Sequence, residues 1–122
     1  MDKSQALYSF WSSFGWDAYD ESSVPDFADK EVEHYISYTD IESSLGEVCY
    51  LTADLWMRSK RWDVISQKAH QISDALGFGG VKIPIDHGFL WIKRGNPFST
   101  RIADEDYIRR IHINIEVDYI ST

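Results

Sequence analysis

Ile108-Arg109-Arg110-Ile111-His112-Ile113-Asn114-Ile115-Glu116-Val117-Asp118-Tyr119-Ile120 is the stretch on which the fold turns. Ile111, Ile113, Ile115, Val117 and Tyr119 fall on one side, and His112, Asn114, Glu116 and Asp118 on the other. Alternation in β-branched types, without Gly or Pro, predicts a half-buried strand. Its apolar side requires a cover and its two edges require neighbours. The remainder of the chain supplies both.

The cover is predicted at Trp62 to Leu76, where Trp62, Ile65, Ala69, Ile72 and Leu76 recur every three or four residues and make one apolar helical stripe. Ser59 is the expected N-cap, and Gly77 the residue that stops the helix. Before it lie two strand patterns. Glu33 to Ile41 sets His34, Ile36 and Tyr38 against Tyr35, Ser37 and Thr39. Glu47 to Arg58 sets Cys49, Leu51, Ala53 and Leu55 against Val48, Tyr50, Thr52 and Trp56. A turn at Ser43, Ser44 and Gly46 joins them, so they should pair antiparallel. After the helix, Val81 to Ile85 contains Pro84 and suits an edge strand, with Glu33 to Ile41 expected at the other edge of the sheet. Asp86-His87-Gly88 turns the chain into Phe89 to Lys93. Gly95-Asn96-Pro97 is expected to break that strand, leaving Phe98 to Asp106 as a loop.

Nearer the start, Ser4 can cap a short helix carrying Ala6, Leu7, Phe10 and Trp11, which Gly15 ends. Trp16 to Tyr19 can form a short extended piece, an edge element or arm, before a break at Pro25. These patterns imply an α+β fold: an antiparallel sheet of about four to six strands, with one main amphipathic helix and a short N-terminal helix packed on it. A single domain of 122 residues is expected, with an N-terminal helix and acidic arm over 1–32 and the sheet-and-helix core over 33–122.

Composition narrows the function classes. Hydrophobic residues are 43% and charged residues 26%, a globular balance that argues against disorder. Five Trp and seven Tyr are more than one small core usually holds, which points either to some at a subunit contact or to generous core filling. Met1-Asp2-Lys3-Ser4 is too polar for a signal peptide, and no apolar run approaches the roughly 20 residues of a membrane span. Cys49, the single cysteine, reads as a small buried hydrophobe of a protein made in a reducing cytoplasm. Residues 1–42 hold ten acids and two bases, whereas 43–122 hold ten of each; the whole net charge of −8 belongs to the first third. A chain of this balance is not expected to grip nucleic acid by its phosphates, since counterion release takes clustered Lys and Arg to drive it.

No catalytic constellation emerges. His34, His70, His87 and His112 share no ligand spacing, so no metal or cofactor is expected. Gly77-Phe78-Gly79-Gly80 follows a helix, whereas a phosphate loop precedes one. Asp104-Glu105-Asp106 lacks the spaced ligands of a calcium loop. Two basic groups stand out instead. Arg58, Lys60 and Arg61 crowd the start of the main helix, where the macrodipole disfavours cations by about 0.3–1 kcal/mol each. That points to an acidic partner, or to pairing with the chain's own acidic first third. Lys93, Arg94, Asn96, Phe98 and Arg101 form a second basic and aromatic group, typical of a protein interface.

With these residues in view, the succession Leu55-Trp56-Met57-Arg58-Ser59, then Trp62, Lys68-Ala69 and Gly77 to Gly80 resembles the tail terminator proteins of long-tailed bacteriophages. So does Leu90-Trp91-Ile92-Lys93-Arg94-Gly95-Asn96-Pro97-Phe98, followed by Asp104, Ile108-Arg109-Arg110-Ile111 and a terminal Ile-Asn-Ile strand. These proteins are also called tail completion or minor capsid proteins. The likeness runs from about Glu33 to the C-terminus; the first 32 residues agree only in layout.

What the resemblance implies is a mixed α/β structural protein that forms a ring, typically a homohexamer, on the last ring of tail tube protein and presents a surface to the head–tail connector. It implies no catalytic residue. The chain would be a virion component of the tail or neck, from a phage or prophage, assembled in the bacterial cytoplasm. DNA would pass through the bore without specific binding, and no membrane would be involved. Two other readings stand beside it: a head-completion or connector adaptor of the same particle, more often twelve-fold, and a small cytoplasmic enzyme or ligand-binding domain using the histidines and acids.

Overall fold

The computed structural model of the chain describes residues 1–25, 32–41, 48–105 and 107–121, with the backbone alone for 103–105. In chain order the elements are helix α1 (Lys3–Ser12), strand β1 (Ala18–Asp20), a 3-10 turn (Glu21–Ser23), strands β2 (His34–Tyr38) and β3 (Val48–Arg58), helix α2 (Asp63–Leu76), and strands β4 (Val81–Ile85), β5 (Gly88–Glu105) and β6 (Ile108–Ser121). The fold is α+β. All six strands form one curled, mostly antiparallel sheet in the order β1-β2-β3-β6-β5-β4.

The terminal stretch is the spine of that sheet. β6 pairs antiparallel with β3 along Val48–Arg58 and with β5 on its other side. Ile111, Ile113, Ile115 and Val117 are buried, as the alternation requires, and Leu51, Ala53 and Leu55 of β3 lie on the same face. β2 pairs antiparallel with β3 as expected, in a register that sets Ile36 beside Leu55. The turn at Ser43, Ser44 and Gly46 lies outside the described residues.

Three expectations are corrected here. β2 is not a sheet edge, because β1 adds to it in parallel, with Ala18 beside Ile36 and Asp20 beside Tyr38. The Trp16–Tyr19 segment thus supplies the true edge. Next, Gly95-Asn96-Pro97 does not end a strand and Phe98 to Glu105 is not a loop, since β5 continues to Glu105; Asp106 lies outside the described residues. The ladder with β6 absorbs the disruption as an irregularity between Arg94 and Ser99, where the Asn96–Pro97 peptide is cis. An insertion of this kind bends a strand without stopping it when both flanks keep their partner. Finally, neither predicted cap is used. Asp2, not Ser4, caps α1: its side chain accepts from the Gln5 N–H while the Gln5 side chain accepts from the Asp2 N–H. Position 62 is the N-cap of α2, without a side-chain cap, and Ser59 Oγ instead accepts from the Arg61 N–H in the approach to the helix.

Both helices cover the same side of the sheet. α2 buries Ile65, Ala69, Ile72 and Leu76 over β3, β6 and β5. Gly77 stops it at φ 59°, a conformation that costs a residue without Cβ little, and its N–H reaches the Ser73 carbonyl at 3.0 Å. α1 buries Ala6, Leu7, Phe10 and Trp11 and touches both outer strands, β1 and β4, because the sheet curls around it. Polar ties at both ends fix that helix: the N-terminal amine lies 2.8 Å from Asp86, Lys3 Nζ donates to the Ile41 carbonyl, and just past the helix Lys68 of α2 donates to the Phe14 carbonyl at 2.6 Å. The amine holds the exposed Asp86 carboxyl below its usual range. Cys49 is half-buried against the core.

Candidate assembly surfaces

Both helices lie on one side of the sheet, and no described helix packs on the other, termed the bare face, whose side chains shield one another so that Ser37 is buried there and the rings are half-buried. Alternation puts Tyr35, Trp56 and Arg110 on it in one row of β2, β3 and β6, and Tyr19, Ser37, Asp54 and His112 in the next. The rings form a chain. Tyr19 meets Tyr35 edge-on at 6.2 Å, Tyr35 stacks on Trp56 at 5.8 Å, and Arg110 lies 4.9 Å over Trp56. Trp56 Nε1 donates to Ser37 Oγ at 3.0 Å, and His112 Nδ1 is 2.9 Å from Asp54. At the other end of the face, Lys93 contacts Asp118 at 2.9 Å and Glu116 at 3.1 Å and lies 4.3 Å over Trp91, which Lys82 also approaches. Hydrogen bonding to Asp118 and Glu116 holds the Lys93 amine above its ordinary range. Flat rings pinned by neighbouring cations offer contact area already ordered before a partner arrives.

The residues expected to form a partner surface divide among three places. Arg58, Lys60 and Arg61 stay together and exposed at the end of the sheet where β3 stops. Arg61 pairs loosely with Asp63 at 3.3 Å, and Lys60 lies over Tyr107. The Arg58 side chain has no hydrogen bond or ion pair among the described residues. No side-chain hydrogen bond or ion pair joins this cluster to the acidic first third there either; Arg58 lines a hollow with Glu33 and His34, and its N–H donates to the Glu33 carbonyl at 2.8 Å.

The second group is split by the sheet. Lys93 points to the bare face. Arg94, one residue on, points to the helix face, where it donates to the Gly77 carbonyl and to Ser73 Oγ and underlies the fully exposed ring of Phe78. Arg101 also lies on the helix side, donating to Ser66 Oγ at 3.0 Å and sitting 5.1 Å from the Trp62 ring. Asn96 is exposed within the irregularity, whereas Phe98 is half-buried against the core. Arg94 thus serves the C-terminal end of α2, where a cation complements exposed carbonyls.

Between α2 and β5 runs a groove of about 330 Å³, floored by Ala69, Phe98 and Ile111 and rimmed by Ser66, Ser73, Ser99 and Arg101. The histidines remain dispersed: His34 stacks on Trp16, His70 faces Asp74 at 3.6 Å, His87 occupies the β4–β5 turn, and His112 meets Asp54. No three His, Cys, Asp or Glu side chains among the described residues are placed to hold a metal ion. The side chains of Asp104, Glu105 and Asp106 lie outside the description.

Sequence alone does not mark Tyr19, Tyr35, Trp56 and Arg110 as a group. Alternation sets Tyr50, Thr52 and Trp56 opposite the core side, but only the order of the strands brings Trp56 beside Tyr35 and Arg110. No protein-family model matches this chain, and none of the curated proteins compared with it is a match.

Proposed function

We propose that this chain is a structural subunit of a bacteriophage particle, a tail terminator or tail completion protein that assembles as a homohexameric ring on the tail tube and joins it to the head connector. The observation that carries the reading is the one-sided sheet. Its bare face holds ordered aromatic and charged side chains, and its outer strands are short. A subunit of this form gains more from a neighbour than a closed barrel does, since unpaired strand edges and the half-exposed rings are what association removes from water. The ordered motifs shared with tail terminators support the same reading.

The chemistry of the partners follows. Contacts with the tail tube and the connector would use the rigid outward surfaces, among them the Arg58, Lys60 and Arg61 end, which suits an acidic partner. A ring of six carries six times the −8 of one chain. Acidic residues turned to the bore would repel DNA and let it slide through without specific binding.

The test is assembly. The full-length chain is mixed with the tail tube protein of its particle, sized by light scattering and imaged by electron microscopy. Six-fold rings at tube ends are expected. Twelve-fold rings indifferent to the tube would move the assignment to a connector adaptor. A chain that remains monomeric with and without the tube would overturn the ring altogether.

A further inference from the structure

β4 covers only the upper part of β5: its five residues pair with Gly88 to Ile92 and no further. Beyond that point no described strand or loop backbone pairs with the outer edge of β5. Ser99, Thr100 and Arg101 are all exposed there. An open stretch of strand with no bulge or proline of its own is a ready template for another chain.

Registers across the sheet show what sits at the same height on the opposite edge. Ser99 is level with Ile113, Ala53, Tyr38 and Asp20; Thr100 is level with His112, Asp54, Ser37 and Tyr19; Arg101 is level with Ile111, Leu55, Ile36 and Ala18. The three residues of β1 therefore stand directly across from the three open residues of β5. β1 runs parallel to β2, and each following step to β5 is antiparallel, so β1 and β5 run in opposite directions. Each step of a twisted sheet turns the strand by roughly 20–25°, so a rotation between copies that takes up the turn accumulated over these four steps brings β1 of one copy beside β5 of the next in this register, as an antiparallel pair.

Side-chain chemistry agrees with that register. Asp20 and Ser99 both lie on the helix side, and Arg101 is on the same face two residues away, within reach of a diagonal cross-strand contact. The groove beside it is rich in donors. Ser66 accepts from Arg101 and Ser73 from Arg94, so both hydroxyl protons are free to point outward, and neither has an acceptor among the described residues. Asp17, Asp20 and Glu21 make the β1 edge acidic. Asp20 uses one carboxylate oxygen on Ser22, which leaves the other available.

We infer that the open Ser99–Arg101 segment of β5 and its flanking groove receive the acidic β1 edge of a second copy, continuing the sheet from subunit to subunit with Asp20 against Arg101. This rests on the ring reading above and assigns its subunit joint. The contact is head-to-tail, so repetition about one axis closes a ring instead of pairing two copies face to face. A three-residue joint is weak singly, which favours assembly where the tube holds the subunits side by side.

In a Cys49→Ser background, Tyr19→Cys and Thr100→Cys are made as separate full-length variants, mixed, assembled on tail tube protein and oxidised. A disulfide-linked dimer that neither variant gives alone is expected. Tyr19→Cys mixed with Ser99→Cys, whose side chain lies on the other face, should give roughly tenfold less, because one step of register reverses the face. Ser99→Asp removes no described hydrogen bond and should lower ring yield about tenfold through like-charge repulsion. Arg101→Glu should do the same, and Asp20→Lys should restore the Arg101→Glu rings, with circular dichroism confirming the fold of each variant. Wild-type rings without the selective disulfide, or rings indifferent to the charge changes, overturn this joint and leave the ring standing. Failure of the wild-type chain to form rings at all overturns both.

Discussion

Replacing Ile113 probes the sheet at its centre. The side chain is 0% exposed, on the middle strand β6, with Ala53 on one side and Ser99 on the other in register. Truncating a buried isoleucine costs about 2–5 kcal/mol, transfer and cavity together. Both flanking residues are small and cannot swing to fill the gap, which places Ile113→Ala in the upper half, about 3–5 kcal/mol. Unfolding entropy near ~2.1 cal/mol/K per residue gives roughly 0.26 kcal/mol/K for a chain of this length, so the expected fall in Tm is about 12–19 °C. Ile113→Asp adds a buried unpaired carboxylate worth several kcal/mol more and should leave the chain unfolded at ambient temperature. The control is Asn114→Ala, one residue along on the bare face. It loses only the 2.9 Å bond from Nδ2 to the Pro97 carbonyl and should cost about 0.5–1.5 kcal/mol. Scanning calorimetry with urea titration measures all three. A fall in Tm below about 3 °C for Ile113→Ala, or a larger one for Asn114→Ala, would show that the faces of β6 are misassigned.

Three further outcomes are expected. Arg58→Glu with Arg61→Glu should change stability by under about 1 kcal/mol, since the Arg61–Asp63 pair is exposed, while abolishing head attachment or ring stacking; unfolding of the double variant by circular dichroism would place the cluster inside the fold's own support. Gly80→Ala should destabilise by at least about 1–3 kcal/mol, because φ is +74° and the new Cβ would lie 2.4 Å from the Ile92 carbonyl oxygen; a wild-type urea midpoint would contradict that close approach. Burial, then the charges of Asp20 and Asp40, pushes the Tyr38 hydroxyl up to about 12, so the folded chain keeps a proton that the unfolded chain gives up near pH 10. Stability should fall as pH rises between about 10 and 12, by an amount on the order of 2–3 kcal/mol, and Tyr38→Phe should remove that loss while matching wild type at pH 7. Lys93 acts in the same direction, since its raised amine stabilises below the unfolded lysine range and ceases to as pH climbs through the folded value.

The candidate surfaces were legible in the sequence as residues and only partly as places. Arg58, Lys60 and Arg61 lie at the junction of a strand and a helix, a local feature, and they remain one cluster. Lys93 and Arg94 are adjacent in a strand, and adjacency in a strand means opposite faces, so one went to the bare face and the other to the end of α2. Arg101 lies beyond the irregularity in β5, and its contact with Ser66 depends on how far α2 reaches along the sheet.

What the sequence determined by itself was which side of each segment is dry. The two-residue period of β3 and β6 and the three-to-four-residue period of α2 are local properties, and each picks out its buried row without reference to any other segment, whereas in β2 Ser37 is buried on the opposite face beneath Trp56. The tertiary structure alone decided that β1 takes the edge beside β2, that β5 runs on past Pro97, and that Ser99 to Arg101 and Ala18 to Asp20 end at one height on opposite edges. Strand order and register arise from ladders between residues far apart in the chain, and those ladders carry β5, bent but unbroken, past a dipeptide that would end an unpaired strand.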